Sequence, residues 1–354
     1  MNDPRPVAGI GARIARVEDA RFLVGRGRYT DDLRFDGQVH AVFVRSPHAH
    51  ARIVAIDKAA ALAMPGVLAV LTGADAVADG LGSIPHTQIS DSTVKRPPHV
   101  SLPADKARFA GEAVALVVAQ TREQAKDAAE QVEVTWEPLP SVTATPRATE
   151  SGAPRVWDDI ADNVYVRLQT GDKTSADAAF AQAKQVVKLE TWVQRVTALP
   201  MEPRGAVGLY DAARHRHELF VGSGGVARWR EELAGALGVP IQTTRIVSYD
   251  VGGNFGMRNT FYPEYALVCW AAKKVGRPVK WMADRSEGMI SDCHARDLFV
   301  QAEIALDAQG RVTGMRSRNT SNVGGHFYNF VGLANGVKLS TGLYRVPAAH
   351  VEGL

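Results

Sequence analysis

The sequence predicts an α/β chain, of the mixed α+β kind, laid out as two successive units. Three observations lead there. Apolar runs with strand character alternate with short helical stretches over 37–137. Residues 138–157 carry Pro138, Pro140, Pro146 and Pro154 among Ser, Thr and Ala and show no period, which marks a linker. Beyond it a strand, a glycine turn and a helix occur twice, at 217–237 and 244–274. The expected organisation is an N-terminal arm over 1–20, a first unit over 21–137, the linker, and a second unit over 158–354.

In the first unit, 37–46 and 52–56 read as strands. A short helical stretch over 58–64 stops at Pro65-Gly66, and 67–71 returns to strand. Residues 80–103 are polar, proline-bearing and aperiodic, so a loop is expected. The compact apolar run 112–119 is a strand. Thr121-Arg122-Glu123-Gln124 has the spacing of a capping box, which opens a helix over 122–131, and 132–136 is again strand.

In the second unit Thr174-Ser175-Ala176-Asp177 suggests another capping box, for a helix running to Lys184. Strands are expected at 185–193, 206–210 and 217–221, and a helix at 228–237 that stops at Gly238 and Pro240. A strand at 244–247 feeds the second glycine turn, and a helix spans 265–274. After a strand at 278–283, the segment 298–306 alternates, with Val300, Ala302, Ile304 and Leu306 on one face. Asp307-Ala308-Gln309-Gly310 turns it back into 311–318 as a hairpin.

Composition narrows the function classes. Lys and Arg number 41 against 38 Asp and Glu, a net charge of +3 with no polybasic run, so nucleic acid is not an expected partner. Cys269 and Cys293 are too few for a disulfide framework and point to a reducing compartment. They are also too few for an iron–sulfur cluster, which takes about four cysteines. No apolar h-region opens the chain and no window reaches roughly 18 apolar residues, so neither a signal peptide nor a membrane span is expected, and a cytoplasmic location is.

The candidate functional residues lie in the glycine turns. Gly252-Gly253-Asn254-Phe255-Gly256 follows a strand and leads, through Asn259, into a helix; one aromatic ring projects from an otherwise bare loop. Glycines allow close backbone approach and positive φ, and N–H groups near a helix start favour electron-rich partners. Gly222-Ser223-Gly224-Gly225 precedes the other helix in the same way. Neither matches G-x-G-x-x-G or the P-loop. Each turn alone reads as a tight connection; two at corresponding places favour a shared polyanionic or pterin ligand. His48-Ala49-His50 would place both rings on one face of a strand, where a solvated strand end outweighs a metal pair for want of a Cys, Asp or Glu cluster. His215-Arg216-His217 is expected at the surface. The dense polar stretch 284–297, which includes His294, is expected to be a buried salt-bridge network that organises a loop. Cys269 is expected in the core; Cys293, in a polar loop, has no identifiable partner and no G-x-S-x-G elbow is present.

The loop Val251 to Gly256 resembles the Val-Gly-Gly-Gly-Phe-Gly loop that lies against molybdenum in the large subunits of the molybdenum hydroxylases, the xanthine dehydrogenase, aldehyde oxidase and carbon monoxide dehydrogenase family. Gly25-Arg26-Gly27-Arg28-Tyr29-Thr30-Asp31-Asp32, the run from Val44 to Ala51, the run from Phe109 to Ala115 and Met201-Glu202-Pro203 resemble family motifs in the family's order. The resemblance implies an α/β hammerhead domain over 21–137 followed by an incomplete first molybdopterin-binding domain of mixed sheets and helices. It implies a molybdopterin cofactor, in the molybdenum cytosine dinucleotide form, held by Gly253, Phe255, Gly256, Gly224 and Gly225 with no protein ligand to the metal, and it places Asn259 near the substrate. It further implies hydroxylation of an N-heterocycle or aldehyde C–H with oxygen from water. Electrons would pass to [2Fe-2S] clusters and FAD on small and medium partner subunits.

Two departures stand out. The family usually has Gly-Thr-Gln where this chain has Gly222-Ser223-Gly224, so the glutamine that hydrogen-bonds a molybdenum ligand is missing. Some purine-oxidising members carry glutamate at the position of Asn259, which argues against xanthine as substrate. The family's arginine-bearing loop and its catalytic glutamate are expected beyond Leu354, so no residue here is named as the base. The expectation is therefore the N-terminal half of a large subunit: a fragment, a split subunit completed by a separately encoded C-terminal half, or a degraded gene. The alternative is a non-catalytic binding or assembly protein of the same family.

Overall fold

The computed structural model describes residues 9–12, 14–85, 94–326 and 331–354. In chain order the elements are α1 (Asp19–Phe22), β1 (Val39–Arg45), β2 (Ala51–Asp57), α2 (Ala59–Ala63), β3 (Val67–Thr72), α3 (Gly73–Ala78), β4 (Lys106–Ala107), β5 (Ala113–Ala119), α4 (Arg122–Ala129) and β6 (Glu133–Pro138). Then come β7 (Leu168–Gly171), α5 (Lys173–Gln182), β8 (Gln185–Val193), β9 (Gly205–Asp211), β10 (Arg216–Val221), α6 (Val226–Leu237), β11 (Thr244–Val247), α7 (Pro263–Val275), β12 (Val279–Met282), α8 (Arg285–Ser291), β13 (Leu298–Leu306), β14 (Val312–Ser321), α9 (Val331–Lys338) and β15 (Ala349–Gly353). The mixed α/β class read from the sequence is the class observed.

The strands form three sheets. The largest has seven strands in the order β11-β10-β9-β12-β1-β5-β3, and so takes strands from both sides of the 138–157 segment. The join is β1 with β12, a parallel pair that sets Val39 opposite Val279. β5 explains itself: all seven residues are apolar and buried. Its alternation sends Leu116 and Val118 into the main core and Ala115 and Val117 into a second cluster under α2 and α4, as period-2 geometry requires. The five-stranded sheet runs β7-β15-β14-β13-β8, and the three-stranded one β4-β2-β6.

The main core sits between the seven-stranded sheet and helices α6 and α7. Trp229 of α6 meets Tyr265 of α7 with ring centroids 5.3 Å apart and Phe261 edge-on at 5.8 Å. Trp281 of β12 packs edge-on to Phe43 of β1 at 5.4 Å. Aromatic pairs at such distances add to the burial of their area.

The capping box at Thr121 is realised: its hydroxyl accepts from Gln124 N–H at 3.2 Å and the Gln124 side chain accepts from Thr121 N–H at 3.1 Å. The one expected at Thr174 is corrected. Asp172 caps α5 instead, accepting from the N–H groups of Thr174 and Ser175, because a carboxylate two residues earlier is the stronger acceptor. The hairpin forms, but within β13 it is Ala305 that is buried while Ile304 stays exposed, so the alternating apolar face is not the covered one. α3, α8 and β15 were not expected. Part of the loop expected over 80–103, residues 86–93, lies outside the described residues. Among the described residues no helix is long and apolar enough to cross a membrane.

Candidate functional site

β10 and β11 are parallel neighbours, with His217 opposite Thr244 and Phe220 opposite Val247. Parallel strands deliver their C-terminal ends to the same edge of a sheet. The two glycine turns, about thirty residues apart in sequence, therefore leave side by side. They are then bonded to each other. Gly224 N–H donates to Arg258 O at 2.9 Å, Ser223 N–H donates to Ser248 Oγ at 3.2 Å, and the Arg228 guanidinium donates to the Asn259 carbonyl.

The second turn is tightly wound. Gly253 has φ +113° and Gly256 +94°, and Phe255 between them is a non-glycine residue at +51°. Left-handed backbone at a bulky residue is strained and persists only where the surroundings hold it. Asn254 supplies part of that hold, its Oδ1 accepting from Gly256 N–H at 3.0 Å. Phe255 is 78% exposed, so an apolar aromatic surface stands out of the loop. Open space adjoins Gly225 and Gly256, where an added Cβ would meet nothing within 4 Å. α6 starts at Gly225 with no side-chain cap and no acidic residue in its first turn, which leaves its N-terminal dipole uncompensated.

Beneath the turns lies a charged pair that sequence reasoning did not assign. Arg258 is fully buried. Its Nη2 lies 3.2 Å from Glu202 Oε2, donates to Glu202 O at 2.5 Å and to Pro203 O at 3.1 Å, and its Nη1 donates to Gly222 O at 3.5 Å. The Glu202 carboxylate also accepts from Gly252 N–H at 2.8 Å and Thr30 N–H at 3.2 Å. Thr30 Oγ1 in turn accepts from Gly222 N–H at 3.1 Å. A Cβ at 222 would lie 2.5 Å from Arg258 Nη1 and one at 252 would lie 2.4 Å from Glu202 Cβ. Those two glycines are thus required by the ion pair beneath them. The available signal was Met201-Glu202-Pro203, a family-like motif without an assigned role.

The start of the second turn is tied to the beginning of the first unit. Asp250 pairs with the Arg21 guanidinium and accepts from Arg28 N–H at 2.7 Å. The Arg21 hydrogen bond, aided by Arg28 N–H, brings the Asp250 carboxyl down to about 2.

A second charged layer lies deeper. Glu264 accepts from Arg204 Nη1 at 2.9 Å and Arg45 Nη2 at 2.8 Å, Arg45 also reaches Glu287 at 2.7 Å, and Arg204 also pairs with Asp292. Burial pushes the Glu264 carboxyl up, but Arg204 and Arg45 outweigh it and bring it to about 2. The 284–297 stretch thus carries one fully buried ion pair, at Asp292, and partly buried ones at Glu287 and, with Arg195, at Asp297. His294 takes no part; it is exposed, with Nε2 3.0 Å from Met289 O.

Three other expectations are corrected. His48 and His50 lie in the bend between β1 and β2, not on a strand; His48 packs on Trp136 at 5.5 Å and His50 Nδ1 meets Pro140 O at 3.2 Å. His217 is buried on β10 rather than at the surface, and burial with nearby Lys273 lowers its pKa to about 4. Cys293 has a partner: the Tyr262 hydroxyl lies 3.0 Å from Sγ, and burial raises the thiol pKa, so it is not an activated nucleophile. Cys269 is in the core, as expected. Among the described residues no group of three or more His, Cys, Asp and Glu could hold a metal ion.

Residues 24–140 match the a/b hammerhead domain of aldehyde oxidase and xanthine dehydrogenase, and residues 156–354 match the molybdopterin cofactor-binding domain. The chain belongs to the molybdenum hydroxylase family. It is 37% identical over 351 residues to the nicotine 6-hydroxylase large subunit of Paenarthrobacter nicotinovorans, an alignment that covers 96% of this chain and 42% of that protein. It is 34% identical over 363 residues to the carbon monoxide dehydrogenase large chain of Hydrogenophaga pseudoflava, with 97% and 44% covered. The structure of quinoline 2-oxidoreductase from Pseudomonas putida 86 superposes with a TM-score of 0.89 at 35% identity, over 96% of this chain and 43% of that one. The chain thus spans well under half the length of these large subunits.

Proposed function

We propose that this chain supplies the first molybdopterin-binding face of a molybdenum hydroxylase large subunit, with 21–137 as its hammerhead unit and 158–354 as its cofactor unit. The single observation that carries the reading is the pair of glycine turns bonded side by side at one sheet edge, with open space at Gly225 and Gly256. The residues fit the cofactor. The uncapped start of α6 suits an anionic or electron-rich group, and Gly225 and Gly256 leave room for a flat ligand to approach the backbone beside Gly224 and Gly253. Phe255 would pack against the cofactor and Asn259 would face the substrate. We assign the cofactor as molybdenum cytosine dinucleotide, which, when bound, supplies the two-electron oxidation of a C–H carbon with water as oxygen source. This chain's own residues contribute position. Glu202 and Arg258 fix the spacing of the turns, Asp250 ties them to the first unit, and no residue described here serves as general base.

The substrate class we assign is an N-heterocycle or aldehyde; relatives are named for nicotine and quinoline, both of which contain a pyridine-type ring. The partners are an iron–sulfur small subunit, a FAD medium subunit and the remaining portion of a large subunit. The test is to purify the tagged chain with the subunits that accompany it. About one molybdenum per complex, cytidine monophosphate released on acid hydrolysis, and dye reduction with an N-heterocycle or aldehyde are expected. A metal-free complex would instead select the rival reading, a non-catalytic assembly or binding protein, which Gly224 favours because it offers no side-chain donor.

A further inference from the structure

A small polar cavity of about 10 Å³ lies at the junction of the two units. The first unit contributes His99, Ser101 and Glu112 to its wall, and the second contributes Tyr262, Glu264 and His326; all six are buried. Glu112 belongs to the run from Phe109 to Ala115, which the glycine turns leave without a role. Its carboxylate accepts on both oxygens, from Arg108 N–H at 2.5 Å and from His326 Nε2 at 2.5 Å. The His326 ring also stacks on His99 with centroids 4.4 Å apart, and Phe109 and Trp157 stand edge-on to it at 6.1 and 5.6 Å. The residue before it is held as well: Gly325 O accepts from Trp157 Nε1 at 2.9 Å and from the Tyr165 hydroxyl at 3.2 Å. Because Nε2 faces a carboxylate it carries the proton, and in the neutral ring Nδ1 is then an acceptor. Buried Nδ1 meets no hydrogen-bond partner among the described residues, and neither does Ser101 Oγ. Buried polar atoms are seldom left in that state, and these two residues line the same cavity.

We propose that this cavity is a binding site for a single water molecule, which bridges Ser101 Oγ of the first unit to His326 Nδ1 of the second. The volume is that of one water and no more. The chemistry selects it too. A guest must donate to Nδ1, and the Ser101 hydroxyl can either give or receive; water does both, whereas a chloride ion cannot donate. The charged groups of the wall are already engaged, Arg45 with Glu264, Glu287 and Gly111 O, and Glu264 with Arg204 as well, so a neutral guest is the one that fits. Glu112 thus acts at one remove: it fixes which nitrogen of His326 carries the proton, and so what the cavity accepts. The bridge completes the clasp that holds the stem after β14 against the first unit. It stands whether or not the complex carries molybdenum, so this inference and the cofactor reading fail independently.

The experiment is a crystal structure of the purified native complex, at a resolution that shows ordered water, with a second crystal soaked in bromide. One oxygen within hydrogen-bond distance of both Ser101 Oγ and His326 Nδ1 is expected, with no anomalous peak at that place. A dry cavity would overturn the proposal, and so would a bromide peak, which would make the guest an anion. Two variants read the bridge in solution. Ser101→Ala removes one partner; His326→Gln keeps a donor for Glu112 and has nothing in the place of Nδ1. Each is expected to lower the thermal transition by about 2 °C, the worth of one neutral hydrogen bond in a chain of this size. The double variant is expected to lose about the same 2 °C, because the second change removes the partner of a water already lost. Strictly additive losses would show that the two residues do not share a guest and would overturn the bridge.

Discussion

Replacing Arg258 by Met tests whether one buried ion pair fixes the geometry of both glycine turns. Arg258 is fully buried, and its loss removes the contacts to Gly222 O, Glu202 O, Pro203 O and the Glu202 carboxylate at once. Removing one member of a buried pair costs about 3–5 kcal/mol, largely because the other charge is stranded. Glu202 would keep the N–H groups of Gly252 and Thr30, so the lower end, about 3 kcal/mol, applies. At about 2 °C per kcal/mol for a chain of this size, scanning calorimetry should record a fall of about 6 °C. Glu202→Gln alone should cost less, since its amide oxygen still accepts one backbone N–H. The double variant should show a coupling of about 1–3 kcal/mol, as expected for contacting residues. The loop itself gives a second readout: Phe255 is the exposed aromatic residue of the second turn, and chymotrypsin should cut after it faster in Arg258→Met than in wild type. A loss below about 0.5 kcal/mol, or strict additivity in the cycle, would refute the argument.

Two further outcomes are expected. His217, lowered to about 4 by burial and Lys273, is neutral in the fold but takes up a proton when unfolded at about pH 6.5. The unfolded state therefore binds more protons between the two values, and stability should fall as pH drops from about 6.5 towards 4; His217→Leu should flatten urea midpoints across that window, and an unchanged slope would count against it. β8 is an edge strand whose nine residues are all exposed, with Val186, Val187, Leu189 and Trp192 among them; such edges invite pairing with other chains. Val187→Lys with Leu189→Lys should lower light scattering of the isolated chain at raised concentration, and no change would place its self-association elsewhere.

The sequence was most informative where a local pattern suffices. The runs at 185–193, 244–247 and 298–306 appear with those bounds as β8, β11 and β13, and the Thr121 capping box forms as spaced. Short elements that owe their form to neighbours were invisible. α3 and α8 have six and seven residues, too few for a helical period to declare itself, and β15 exists because β14 and β7 flank it. The same division holds at the site. Glycine content exposed both turns, and two strand–turn–helix units suggested that they belong together. The Glu202–Arg258 pair was hidden because its members stand 56 positions apart, and nothing local tells a buried arginine from a solvated one. His217 was misjudged on the same ground: it stands between Arg216 and Glu218 close to a turn, yet strand alternation turns its ring inward against Tyr210.

The turns also depend on the first unit more closely than a linear division of the chain suggests. Thr30 contributes its N–H to Glu202 and its hydroxyl to Gly222, and Arg21 and Arg28 hold Asp250. Both turns are therefore fastened from the N-terminal side as well as from beneath. β1 completes the argument, since its parallel pairing with β12 makes the sheet that carries β10 and β11 continuous with β5 and β3. A glycine turn is cheap to deform when alone, because glycine resists few backbone conformations. It keeps a strained residue such as Phe255 at positive φ only if its ends are fixed, and here the fixed ends are supplied by residues 21–30 and by Glu202 and Pro203 with Arg258. The permissive residues give the site its access and the charged ones its shape. For that reason substitutions at Glu202 and Arg258, which would touch no ligand, should alter the site as much as substitutions in the turns themselves.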